Sequence, residues 1–160
     1  MNKISLSAIF IILIFNFSFS QYEISIGQYN ADNQTIEILL DNEEAIGGFQ
    51  FQITGLNLLE AFGGSAEQAG FSVSTSEIGV VLGFSFSGAI IPEGNSILTN
   101  LIFESINNQF TEITNITISS PSGVTVNSNS SGIIDHGPPF CDGNWDSYAQ
   151  LDECNICNGP

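Results

Sequence analysis

Val80-Val81-Leu82-Gly83-Phe84-Ser85-Phe86-Ser87 sets Val80, Leu82, Phe84 and Phe86 at every second position. A repeat of two is that of an extended strand, whose side chains point alternately to opposite faces. The reading that follows puts these four residues on a buried face, with Val81, Gly83, Ser85 and Ser87 toward water. The same period recurs outward in both directions. Upstream lie Phe71 and Val73, then Phe49, Phe51 and Ile53 with Gln50 and Gln52 between them, then Ile36, Ile38 and Leu40, and finally Tyr22, Ile24 and Ile26. Downstream, Ile97, Leu101 and Phe103 share one parity, followed by Ile116 and Ile118 and by Val124 and Val126. About eight to nine short strands, with no long helical pattern, predict an all-β chain folded as a jelly-roll or immunoglobulin-like β-sandwich.

The punctuation agrees. Ala31-Asp32-Asn33, Asp41-Asn42-Glu43-Glu44 and Pro92-Glu93-Gly94-Asn95 separate the runs with residues that favour turns. Leu56 to Gly70 is too long for a hairpin and reads as a crossover between sheets, with a short helical turn around Leu58 to Phe62. Of the thirteen phenylalanines, Phe49, Phe51, Phe84, Phe86 and Phe103 are expected in the core.

The two ends read differently. Met1-Asn2-Lys3, an apolar run from Ile4 to Phe15, and Ser18-Phe19-Ser20 before Gln21 form the pattern of a secretory signal peptide over residues 1–20. The run is shorter than the roughly 20 residues that cross a bilayer, so no membrane insertion is expected after cleavage. The sandwich is expected over 21–134, a Gly/Pro linker over 135–140, and an acidic cysteine-containing tail, short and irregular, over 141–160. The expected location is secreted, extracellular or at the cell surface.

Lys3 is the only Lys or Arg, and all 17 Asp and Glu follow Gln21. Nucleic acid and anionic membrane surfaces both need basic side chains for binding, so neither is expected as a partner. A neutral sugar, a cation or a protein surface remains. Catalysis is not expected either. Nucleophilic mechanisms need an oriented base, and the sole histidine, His136, lies in the Gly/Pro linker with nothing rigid expected around it. Glu43-Glu44 reads as a solvated turn rather than a pair facing across a cleft.

The tail carries Asp142, Asn144 and Asp146 at alternate positions around Gly143, with Asp152 further on. Oxygen ligands so spaced can converge on Ca²⁺, which makes these four residues the candidate metal ligands. Cys141, Cys154 and Cys157 in an exported chain point to a bridge from Cys141 to Cys154 or Cys157, with one thiol left over.

Two stretches resemble cohesin modules, the jelly-roll sandwiches of secreted bacterial polysaccharide-degrading systems. Ala45-Ile46-Gly47-Gly48-Phe49-Gln50-Phe51-Gln52-Ile53 is similar to an early core strand of that family. Val80 to Gly88 is similar to a later one, followed by Pro92-Glu93-Gly94 and Ile97 to Phe103. After Ile53 the chain reads Thr54-Gly55-Leu56-Asn57, where the family usually has an Asp-Pro segment. The tail, with Cys141-Asp142-Gly143-Asn144 and Leu151-Asp152-Glu153-Cys154, resembles acidic cysteine repeats of large secreted proteins of marine bacteria. The resemblance implies a non-catalytic module that docks a dockerin-like partner in a polysaccharide-degrading or cell-surface assembly. Two other readings stand beside it. A carbohydrate-binding module would stack a polysaccharide on Tyr22 or Tyr29, or on Trp145 and Tyr148 in the tail. A passive adhesin or spacer would be stiffened by calcium.

Overall fold

The structure, a computed structural model, describes residues 22–145, 149–151 and 156–158; the signal-peptide reading lies outside them. Eight strands of four residues or more build the body: β1 (Tyr22–Asn30), β2 (Thr35–Asn42), β3 (Gly48–Ile53), β4 (Leu56–Phe62), β5 (Ser72–Thr75), β6 (Val80–Phe84), β7 (Gly94–Ile106) and β8 (Phe110–Ser119). Short β9 (Thr125–Val126), β10 (Asn129–Ser131) and β11 (Ile133–Asp135) complete it, and one short helix, α1 (Gly64–Gln68), follows β4. The first sheet runs β10-β1-β2-β7-β4 and the second β11-β8-β3-β6-β5, with β9 on β8. They form a β-sandwich, as expected from the period of two.

Between the sheets lie Ile24, Ile36, Ile38 and Leu40 from the first, and Phe49, Phe51, Val81 and Ile118 from the second, all buried. Phe49 stacks on Phe51 and on Phe71, with ring centroids 6.0 and 6.2 Å apart. Each such side chain contributes about 1.5–3 kcal/mol through removal from water.

The phase of β6 is the reverse of the one expected. Val81 and Gly83 are buried, whereas Val80, Leu82 and Phe84 face outward and Phe86 is 89% exposed. The reason is steric. The Phe49 ring lies against Gly83, where a Cβ would come within 2.1 Å of it. Only the glycine side of the strand can approach that ring.

A second departure lies in β7. Ile38 pairs with Thr99 but Leu39 pairs with Ile97, so Leu98 is an extra residue in the ladder. Such a bulge shifts the alternation by one. Leu98 and Thr99 are both fully buried, Leu101 and Phe103 point inward, and Ile97 turns out to the surface.

The segment read as a crossover is a strand followed by a helix. Leu56–Phe62 pairs with β7 as an edge strand, and the helical turn comes later, at Gly64–Gln68. Gly64 makes this possible: its φ is +72° and a Cβ there would stand 2.3 Å from the Leu98 carbonyl oxygen. The helix therefore starts directly on the β7 backbone.

The two ends of the body lie at opposite poles. Tyr22 pairs with Asn42, and the Asn42 amide donates to the carbonyls of Glu44 and Pro92 at 2.8 and 2.9 Å, close to the start of β3. At the other pole β11 pairs with β8, Asp135 opposite Phe110. His136 is not loose there. Its backbone N–H donates to Gln109 O at 2.9 Å, Nε2 lies 2.8 Å from the buried Thr111 Oγ1, and the ring packs 5.4 Å from Tyr29. The expectation that nothing orients it came from Gly137-Pro138-Pro139 and missed β11.

Beyond this pole, β12 (Gln150–Leu151) pairs with β13 (Cys157–Asn158). A disulfide joins Cys141 to Cys157; Cys154 lies outside the described residues.

Candidate functional site

The two outer faces of the sandwich differ in chemistry. Outward residues of the first sheet include Glu23, Glu37, Asp41, Glu60 and Glu104, around Leu39, Ile97 and Ile102. On the second sheet, β3, β5 and β6 hold no charged residue at all. Their outward positions are Gly48, Gln50 and Gln52 on β3, Ser72 and Ser74 on β5, and Val80, Leu82 and Phe84 on β6. Thr117 and Ser119 continue the face on β8. Its acids, Glu112 and Asp135, stand at the far corner where β11 meets β8.

Register assembles the centre of that face. Leu82 lies between Gln50 and Ser74, Phe84 between Gly48 and Ser72, and Gln50 is also opposite Thr117. Leu82 is 38% exposed. Phe86, just past the strand, meets the edge of Phe84 with centroids 4.7 Å apart and planes at 80°. Ile90 is also exposed, and Ile78 is exposed at the opposite end of β6, where Gln52 Nε2 donates to its carbonyl oxygen. Exposed apolar side chains gathered on one face, rather than scattered singly, mark interaction surfaces. Leu82, Phe84 and Phe86 were read from the sequence as core; the signal that separates them is the glycine at the middle of the alternate parity.

Phe84 and Phe86 sit before a loop held by its own side chains. Ser85 Oγ accepts the Ala89 N–H at 3.1 Å and lies 3.1 Å from Ser87 Oγ. On the other side of β3 the loop Ser120 to Val124 repeats this pattern: Ser120 Oγ accepts the Val124 N–H at 3.2 Å and lies 2.9 Å from Ser122 Oγ. Between the two loops is a shallow depression of about 250 Å³, lined by Gly47, Gly48, Gln50, Leu82, Phe84, Thr117 and Ser119 among others.

The sugar-stacking candidates are placed elsewhere. Tyr22 is buried, with its phenol held above the ordinary tyrosine range by burial, then by the Glu44 carboxylate it hydrogen-bonds, and by Glu43. Tyr29 is stacked on Phe103 at 5.6 Å with planes 9° apart. Neither presents a free ring. In the tail, Trp145 Nε1 donates to Gly137 O at 2.9 Å, and Tyr148 lies outside the described residues.

Of the four candidate calcium ligands, Asp142 and Asn144 are exposed. Asp142 Oδ1 accepts the Asn144 N–H at 3.0 Å, and the Asn144 amide donates to Asp142 Oδ2 at 3.3 Å. Asp146 and Asp152 lie outside the described residues. Among the described residues, no group of three or more His, Cys, Asp or Glu could hold a metal ion. No helix there is long and apolar enough to cross a membrane.

The fold is that of the cohesins. A non-cellulosomal cohesin from the hyperthermophilic archaeon Archaeoglobus fulgidus superimposes with a TM-score of 0.52 at 15% identity, over 69% of this chain and 86% of that one. A chain of a type I cohesin–dockerin complex from Clostridium thermocellum gives 0.51 at 11% identity, over 72% and 92%. A chain of a complex between a CaDoc0917 variant and CaCohA2 gives 0.50 at 15% identity, over 71% and 98%. No family model and no curated protein matches the chain. At these identities the likeness shows a cohesin-like β-sandwich.

Proposed function

We propose that this chain is an exported, non-catalytic docking module that binds a dockerin-type protein through the outer face of the second sheet. The observation that carries the reading is the contrast between the faces. Burying a charge that finds no partner costs several kcal/mol, which disfavours covering the first sheet. Over β3, β5 and β6 the second can be covered at the cost of neutral hydroxyls and amides alone, and Leu82, Phe84 and Phe86 gain from leaving water. Two of the structurally similar chains come from complexes, one of them of a cohesin with a dockerin, which supports a protein partner. A passive spacer would have no use for an aromatic ring as exposed as that of Phe86. The N-terminal signal pattern supports a setting outside the cell, in a polysaccharide-degrading or surface assembly.

The test is calorimetric titration of the secreted chain with a panel of dockerin modules. We expect saturable binding by at least one, lost in Leu82→Asp and kept in Glu37→Gln on the opposite face. Binding that survives Leu82→Asp, or a panel without a single binder, overturns the reading.

Calcium held by Asp142, Asn144, Asp146 and Asp152 in the tail is a separate proposal, supported by the alternate spacing of oxygen ligands. Calcium titration of the secreted chain, followed by Trp145 fluorescence, tests it. An unchanged spectrum up to millimolar calcium, or an identical response in Asp142→Asn, counts against it.

A further inference from the structure

On the side of the body away from β10 and β11, the free edges of the two sheets meet: β4 closes the first sheet and β5 the second. Thr75 Oγ1 donates to Leu59 O at 3.1 Å and stitches them together. Further along, the chain leaves β4, turns through α1 and returns as β5. That excursion surrounds a half-open pocket of about 180 Å³, lined by Ala61, Phe62, Gly63, Glu67, Phe71 and Val73. Val73 alternates with the exposed Ser72 and Ser74, so it points away from the outer face of the second sheet. We propose that this pocket binds a small organic ammonium, a primary amine head carried on a short apolar stem. The site is separate from the docking face and does not rest on it.

The lining selects that guest by exclusion. Glu67 is the one charged residue among those that line the pocket. Its Oε2 accepts the Gly63 N–H across the turn, and among the described residues Oε1 bonds no protein group. An anion would meet like charge there. A wholly apolar guest would strip water from the carboxylate and give it no partner in return. An ammonium head forms a charge-assisted hydrogen bond to it, while the stem lies against Ala61, Phe62, Phe71 and Val73. This division, an apolar lining with one polar group to fix orientation, is that of small-ligand sites. The chain supplies no rival cation, since its only Lys or Arg is Lys3, and its uncompensated charge draws cations toward it.

The walls stand in place before the guest arrives. Phe71 is buried and stacks on Phe49, its N–H donates to Ala66 O at 2.9 Å, and Gly64 rests on the β7 backbone. A preset site lowers the ordering cost of binding. Phe62 is exposed, so a stem laid against it takes apolar surface out of water. The volume has room for about six waters, close to the size of an amine of about five carbons.

The experiment uses ¹⁵N-labelled secreted chain with n-pentylammonium, 1-pentanol and pentanoate, which share a shape and differ in charge. We expect pentylammonium to shift the amides of Gly63, Glu67, Phe71 and Val73 to saturation. Pentanol should bind roughly fivefold more weakly, the worth of one partly exposed charged hydrogen bond, and pentanoate should leave the four amides in place. Glu67→Gln keeps an acceptor for the Gly63 N–H and should lower the ammonium to the affinity of the alcohol. Phe62→Ala, at an exposed position, should weaken ammonium and alcohol alike, a reading that survives if Glu67→Gln fails to fold. Pentanoate binding as tightly as pentylammonium overturns the proposal, as does parent affinity in both variants or a pentylammonium that moves none of the four amides. Leu82→Asp on the docking face should leave pentylammonium binding unchanged; a loss there would move the site to that face and overturn it here. Nα-acetyl-lysine methylamide separates the sources of such a head. Saturable binding supports a protein's lysine as the guest, and its failure beside bound pentylammonium supports a free amine.

Discussion

Phe49 occupies the space that a side chain on Gly83 would need, and a Cβ built there stands 2.1 Å from Phe49 Cζ. The ring cannot step aside cheaply, because Phe51 and Phe71 stack on it. One glycine thus decides which side of β6 meets the core and which is left for a partner.

Gly83→Ala should lower stability by roughly 1–3 kcal/mol, the usual cost of overpacking a close-packed core. Urea denaturation measures it. Phe49→Leu in the same chain should recover part of the loss, and a double variant no better than the sum of the singles would contradict the contact described.

At Phe86 the expectation is the opposite. The ring is 89% exposed, so Phe86→Ser should change the unfolding midpoint by no more than about 0.5 kcal/mol while weakening dockerin binding. Since β3, β5 and β6 carry no charge, the affinity of the parent should also vary little between low and high salt.

His136→Ala should destabilise the body by about 1–3 kcal/mol, because the hydroxyl of fully buried Thr111 loses its imidazole partner. Thr111→Val together with His136→Ala should cost less than the two singles combined. Hydrogen exchange of Ile133 to Gly137 should speed up in the histidine variant, and unchanged exchange would sever the proposed link to β11.

Tyr22 gives the body an alkaline limit. Its phenol is held above the ordinary range chiefly by burial, then by Glu44. The folded chain therefore keeps a proton that the unfolded chain releases above pH of about 10. That contribution is complete at neutral pH and is lost as pH rises through the folded value. Melting temperature should drop more steeply between pH 9 and 11 for the parent than for Tyr22→Phe; parallel curves would refute the assignment.

Reduction of the Cys141–Cys157 bridge should leave the main thermal transition where it is. The bridge spans only the tail, whose strands β12 and β13 pair with each other rather than with the sandwich. A shift of the main transition on adding reductant, seen by calorimetry, would show that the tail supports the body.

The sandwich was legible in the sequence because two-residue alternation is a local signal, repeated at Ile36-Ile38-Leu40 and Phe49-Phe51-Ile53 where one face only is buried. The docking face was hidden by the same signal. Along β6 both parities are apolar enough to be core, and the choice is made by Phe49, thirty-four residues before Gly83 in the chain. Alternation likewise does not reveal the extra residue at Leu98, since Leu98 and Thr99 are buried side by side. The placement of His136 depends on β11 joining β8, a pairing that three residues of an Ile-Ile-Asp strand barely announce.

The opposite poles of the body have a mechanical consequence. A pull that separates Tyr22 from Asp135 runs along the strands, so the rungs joining β1 to β2 and β11 to β8 are loaded together in shear rather than peeled one by one. A module built this way resists extension up to the point where whole ladders slip at once, and the force carried through it bypasses the sheet surface where a partner would sit.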